Sequence, residues 1–136
     1  MRGTWSEKMV VPVNAIMPVP DDIPDQLACQ LHANPLTACL LMKNLTSPGA
    51  VVQTAAGSAV GRLVDQLGRH EGRKVINVVR NRITADDLLK HGAEYVVLSE
   101  DEDWLNQVQQ AAAEDPIVAA FDPVAGQTGQ DLLTIL

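Results

Sequence analysis

A doubly wound α/β fold, a parallel sheet with helices on both faces, is predicted by three features of this chain. Short apolar runs at residues 51–52, 74–79, 95–98 and 116–121 alternate with stretches of helical periodicity, and continuous apolar runs of this kind suit strands buried on both faces. Strand and helix alternate three times before a fourth strand, an order that right-handed crossovers turn into a parallel sheet. The apolar content of 46% comes from Val, Leu, Ile and Ala, with one Phe, one Tyr and two Trp in 136 residues. That is the composition of a β-branched sheet under helices.

Taken in order, residues 4–11 read as a strand through Trp5, Met9, Val10 and Val11, and Pro12, Pro18, Pro20 and Pro24 then impose an extended connector. Asp21 or Asp22 is placed to cap a helix beginning near Pro24, and Asn34-Pro35 starts a second helix through Leu45. After the strand at Val51, a helix carries Val60, Leu63, Val64 and Leu67 at i, i+3, i+4 and i+7, one stripe that must face the sheet, and stops near Gly68 to Gly72. Residues 74–79 form the next strand. A helix follows from Thr84 or Ala85 to His91, with Thr84 as N-cap and Gly92 as C-cap residue. The interior strand 95–98 places the sole tyrosine, Tyr95, in packing. Carboxylates at Glu100, Asp101, Glu102 and Asp103 are favoured at the start of a helix that buries Trp104, Leu105, Val108 and Ala112. A buried strand at 116–121 then leads through Asp122-Pro123-Val124-Ala125-Gly126 to a helix reaching Leu136.

The segment from Val51 to Arg62 is where chemistry enters: an apolar strand runs into a turn of small residues, Ala56, Gly57, Ser58 and Gly61, and then a helix beginning near Ser58. Small side chains let a pyrophosphate reach the backbone, where free N–H groups and the positive end of the helix meet its charge. Only the last glycine of a G-x-G-x-x-G pattern is present, as Ala56-x-Ser58-x-x-Gly61. Arg80-Asn81-Arg82 ends the next strand, and Arg80 follows Gly61 by 19 residues, where an acidic residue serves an NAD ribose. Arginines there favour a 2′-phosphate and hence NADP(H).

Other chemistries find less support. With ten basic and seventeen acidic residues the net charge is −7, which opposes nucleic acid and anionic membranes and requires any phosphate site to be local. Cys29 and Cys39 stand apart, and His32, His70 and His91 lack mutual ligand spacing, so no metal site is read. No apolar run approaches the about 20 residues of a membrane span, and residues 1–7 lack a signal-peptide core, so a cytoplasmic location is expected.

Three segments carry a family likeness. Gly3-Thr4-Trp5-Ser6-Glu7 with Val10-Val11-Pro12, Asn34-Pro35-Leu36-Thr37-Ala38, and Val79-Arg80-Asn81-Arg82 resemble the G-T-W-A-E-Y-V-V-V-P, N-P-x-T-A and V-R-D-R segments of the medium-chain dehydrogenase/reductase superfamily. Within it, the turn at Ser58 is similar to the N-S-x-V-G turn of the zinc-free branch of 2-enoyl thioester reductases and quinone-reductase-like enzymes. The resemblance spans nearly the whole chain. It implies a truncated Rossmann-type domain at residues 23–136, incomplete at its C-terminus and preceded by a strand and connector of the substrate domain at 1–22. It implies that Asn34 contacts NADP(H), that Gly57, Ser58, Ala59 and Val60 wrap the pyrophosphate with Gly61 closing the turn, and that Arg80, Asn81 and Arg82 hold the 2′-phosphate. The acceptor is then a conjugated carbon–carbon double bond or a quinone.

The branch's proton-donating tyrosine belongs to a domain that would precede Met1, and Lys8 stands where the motif has a tyrosine. No catalytic residue is therefore assigned, and the chain alone is expected to be inactive. A homodimer covering Leu132, Leu133 and Leu136 is expected. Without a substrate domain, the alternative is a non-catalytic nucleotide-sensing or interaction module.

Overall fold

The computed structural model describes residues 5–136, which divide into two compact units, one ending at Gln30 and the other running from Leu31 to Leu136. In the first, residues 5–11 form no strand, and Trp5 and Val10 are fully exposed. Extended backbone becomes a strand only where a neighbour completes its hydrogen bonds, and residues 5–11 pair with none among the described residues; Gly3 and Thr4 lie outside the described residues. A 3-10 turn at Val13–Ala15 follows Pro12, and α1 (Asp25–Ala28) is a single turn. Its cap position is Pro24, without a side-chain bond. Asp21 and Asp22 therefore do not cap, because a capping oxygen must sit immediately before the first helical residue.

The second unit opens with α2 (Asn34–Lys43), which carries Pro35 in its first turn. It ends before Leu45, whose N–H turns to the Met42 carbonyl at 3.1 Å, while the Asn44 side-chain amide donates to the Leu40 carbonyl at 2.8 Å, the local competition that asparagine brings to helix ends. There follow β1 (Ala50–Gln53), α3 (Ala59–Glu71), β2 (Val75–Val79), α4 (Arg82–Lys90), β3 (Tyr95–Leu98), α5 (Trp104–Ala112), β4 (Ile117–Phe121) and α6 (Gly126–Leu132). All pairings are parallel, in the order β3-β2-β1-β4. The chain therefore adds β2 and β3 on one side of β1 and then crosses back to place β4 on the other.

Alternation along the strands sends neighbouring side chains to opposite faces. Ala50, Val52, Ile76, Val78 and Val97 pack against Trp104, Val108 and Ala112 of α5 and Leu132 of α6. On the other face Val75 joins Val64 of α3 and Ala38 and Met42 of α2, while Val79 meets Ala85 and Leu88 of α4. Two helices close on left-handed glycines, Gly72 (φ 67°) and Gly92 (φ 95°), after which Arg73 and Ala93 donate back to Gly68 (2.8 Å) and Leu88 (3.0 Å); these are Schellman closures.

Four details depart from the sequence expectation. The start of α4 is set by Asn81, whose Oδ1 accepts the Thr84 N–H at 2.9 Å, so Thr84 lies inside the helix and not at its cap. Two good capping residues stood three apart, and the earlier one won. β3 is an edge strand and not an interior one, yet Tyr95 is partly buried against the core as packing requires; its ring lies 5.1 Å from the Lys74 ammonium, which pairs with Asp115 at 2.8 Å. β4, the opposite edge, is half-buried throughout. α6 ends at Leu132, and that residue is buried by its own chain while Leu133 and Leu136 are exposed.

Replacing the fully buried Ile76 by alanine removes packing from the centre of the sheet and is expected to destabilise the chain by about 2–5 kcal/mol, read from the midpoint of urea unfolding.

Candidate functional site

Between β1 and α3 the chain turns over residues 54–58. Ala55 is left-handed there (φ 48°), unusual for a residue with a side chain and stable only where neighbours fix it. The Ser58 N–H donates to the Ala55 carbonyl at 2.9 Å, and the Ala56 N–H reaches the Val78 carbonyl at 3.4 Å. Ser58 caps α3, its Oγ accepting the Gly61 N–H at 3.1 Å. The N–H groups of Ala59 and Val60 find no acceptor among the described residues, and they stand at the positive end of the α3 dipole.

Gly61 is buried, and a Cβ there would fall 2.7 Å from Ala56 Cα and 2.6 Å from the Ala56 carbonyl oxygen. Its role in the structure is thus the close seating of α3 on the turn.

A hollow of about 390 Å³ opens at the carboxyl ends of the strands, where open α/β sheets bind ligands. The turn supplies Thr54, Ala55, Gly57 and Ser58; Arg80, Asn81 and Thr84 follow β2; Ser99 follows β3; and Val124 and Thr128 follow β4, with Arg62 reaching in from α3. Among the described residues two arginines and no carboxylate line it, in a chain of net charge −7. Arg62 is committed within the protein: its Nε donates to the Gly57 carbonyl at 3.0 Å and its Nη2 to Asp87 at 2.6 Å. That guanidinium holds the Asp87 carboxyl below its usual range. Arg80 is exposed and has no ion-pair partner among the described residues.

Of the residues singled out from sequence, Gly57, Ser58, Arg80 and Asn81 line this hollow, while Ala59, Val60, Gly61, Arg82 and Asn34 do not. Val60 packs beside the α2–α3 cluster, and Arg82 is exposed with its Nε 3.5 Å from Asp86. The Asn81 oxygen is occupied in capping α4. Asn34 is the first residue of α2, whose cap position is Ala33 without a side-chain bond, so Asn34 does not cap its helix either.

Sequence reasoning missed Arg62, Thr84, Ser99, Thr128 and a tie across the mouth. Thr54 donates its hydroxyl to Asp122, whose carboxylate also accepts the Val124 and Ala125 N–H groups at 3.0 Å each. An aspartate just before a Pro-x-x-Gly loop was the available signal, since such a side chain bonds the backbone two or three residues on. A hollow of about 630 Å³ at the amino ends of the strands is larger, but Arg69, Arg73 and Lys74 on its wall all bond to neighbouring protein groups. Among the described residues no three His, Cys, Asp or Glu side chains converge on a metal position, and no helix is long and apolar enough to cross a membrane.

No family model matches the chain. Over 139 residues it is 35% identical to a mitochondrial enoyl-[acyl-carrier-protein] reductase of rat, an alignment covering 96% of this chain and 37% of that protein. A crystal structure of an NADPH:quinone reductase from Bacillus thuringiensis superposes with a TM-score of 0.80 at 32% identity, covering 93% of this chain and 39% of the other. The chain belongs to the medium-chain dehydrogenase/reductase superfamily. A third member-like structure, a mycobacterial protein complexed with NADPH, matches at 26% identity and TM-score 0.75 over 87% of this chain and 38% of that one. The chain thus spans less than two fifths of each of these relatives, and the matched part is the superfamily's Rossmann-type cofactor-binding portion.

Two outcomes follow for this site. Gly61→Val is expected to lower the urea midpoint markedly, because the new side chain must displace the Ala56 backbone; a midpoint equal to wild type contradicts the seating role. Because the folded-state pKa of Asp87 is depressed, its tie to Arg62 contributes stability above the unfolded carboxyl pKa and loses it as pH falls through the folded one. The stability gap between wild type and Asp87→Asn, measured by urea unfolding, should be present near neutrality and shrink in acid.

Proposed function

We propose that this chain binds NADP(H) at the carboxyl ends of its strands and serves as the cofactor-holding part of a reductase. The observation that carries the reading is the hollow itself: among the described residues its lining includes two arginines, one of them without an ion-pair partner, and no carboxylate, in an otherwise acidic chain. The residues fit the group. The open N–H donors of Ala59 and Val60 and the Ser58 cap suit a pyrophosphate, while the unpaired Arg80 suits a 2′-phosphate in place of the carboxylate that an NAD ribose would meet. Thr84 and Ser99 add hydroxyls to the same wall, and Arg62 keeps the turn fixed to α4 through Asp87.

When bound, the nicotinamide supplies a hydride. The acceptor we assign is a carbon–carbon double bond conjugated to a carbonyl, as in an enoyl thioester, or a quinone; the relatives named as enoyl-[acyl-carrier-protein] reductase and NADPH:quinone reductase support it. The protein is read as independent of zinc and as a homodimer, with the exposed Leu133 and Leu136 available to a second copy. Its compartment is read as the cytoplasm, the rat relative's mitochondrial name giving the other location to examine.

Calorimetric titration tests the cofactor. NADPH is expected to bind about tenfold or more tightly than NADH, and Arg80→Ala to erase most of the difference, since a charge-assisted contact contributes about 1.5–3 kcal/mol before solvent screening reduces it. Equal affinities in the wild-type chain remove the basis for an NADP site.

A further inference from the structure

Beneath the turn, on the face that α3 covers, two strands interrupt their aliphatic runs with amides: Gln53 closes β1 and Asn77 sits at the centre of β2. Both are buried, with Asp65 of α3. The Asp65 carboxylate accepts from Asn77 Nδ2 at 2.8 Å and from Arg69 Nε at 3.0 Å; Asn77 Oδ1 accepts from Gln53 Nε2 at 2.7 Å; and Gln53 Nε2 donates again, to the Gly61 carbonyl, at 2.8 Å. Only one arrangement of the two amides satisfies this chain. An ionised carboxylate solely accepts, so Asn77 must turn its nitrogen to Asp65 and its oxygen to Gln53. Gln53 must then direct its nitrogen to both Asn77 and Gly61. The charge on Asp65 thus sets, through two amides, what meets the first turn of α3.

We propose that Gln53 and Asn77 are positioning residues for the dinucleotide: they tie the first turn of α3, and with it the Ala59 and Val60 N–H donors, to the sheet at one height. The inference rests on the NADP(H) reading above and names the residues that give its pyrophosphate cradle a fixed geometry. Core stability alone does not call for amides here. On the same face of these two strands stand Val51, Val75 and Val79, all buried, and an aliphatic side chain of similar size fills such space without desolvating polar groups. What an aliphatic side chain cannot supply is a donor to the Gly61 carbonyl, one residue past the open Val60 N–H. Neither amide lines the hollow, so each acts through α3 and not by touching the ligand.

The test compares the wild-type chain with Gln53→Leu, Asn77→Leu and Gln53→Glu. The last keeps the shape of glutamine, but its carboxylate cannot donate to either oxygen. Each is titrated with NADPH by calorimetry and with adenosine 2′-monophosphate by NMR; the second probe carries the 2′-phosphate for Arg80 and no pyrophosphate. We expect every variant to lose about tenfold in NADPH affinity, the scale of one or two hydrogen bonds, while 2′-monophosphate binding stays within about twofold. Unchanged NADPH affinity in the variants overturns the proposal and leaves the cofactor reading standing. Equal weakening of both ligands also overturns it, because the amides then serve the fold in general. A wild-type chain that binds neither ligand overturns the cofactor reading and this one with it. Should a leucine variant fail to fold, Gln53→Glu decides by the same two affinities.

Discussion

The seating of α3 on the end of β1 is the contact on which the rest of this site depends. It is possible only because position 61 lacks a side chain: the Ala56 backbone occupies the space that any Cβ would need. Close packing makes such a contact nearly all-or-none, since interiors have little slack to redistribute an added carbon. Once the helix lies there, Ser58 can cap it, Gln53 can reach the Gly61 carbonyl, and Arg62 can bridge the Gly57 carbonyl to Asp87 on the next helix. The hollow is the space these ties leave open in front of the helix.

Much of this architecture was legible in the sequence because its signals are local. The runs that became β1, β2 and β3, the stripe from Val60 to Leu67, and the closing glycines at 72 and 92 each report on a few neighbouring residues. Residues 5–11 mislead because Trp5, Met9, Val10 and Val11 suit a strand but say nothing of a partner. Asn81 and Thr84 misled because either can cap a helix, and which of them does depends on where β2 releases the chain. The packing of Tyr95 is legible but the edge position of its strand is not, because strand order is a property of the assembled sheet. Within the site, the turn and Arg80 could be read directly. The joining of Gln53, Asp65 and Asn77 could not, since it requires the register of β1 against β2 and the path of α3 across both.

The distribution of charge completes the physical account. A chain of net charge −7 presents a repulsive field to a dinucleotide at a distance, so attraction must arise within a few ångströms of the hollow, where Arg80 and the α3 dipole act together. Surface charges beyond about 8–10 Å are largely screened at physiological salt. The acidic majority then weakens unspecific association with nucleic acid, and under the proposed NADP(H) reading ionic strength controls how strongly the hollow holds a phosphate.

The aspartate after β4 has a mechanical meaning as well. By accepting from Thr54 and from two successive backbone N–H groups, Asp122 joins the loop leaving β1 to the loop leaving β4, across the point where the strand order reverses. The two lips of the crevice are thereby tied to each other within the fold. Ordering a loop on binding subtracts from affinity through lost conformational entropy, and here that loss has already been met during folding. Whatever enters the crevice between β1 and β4 therefore meets two loops already fastened to each other.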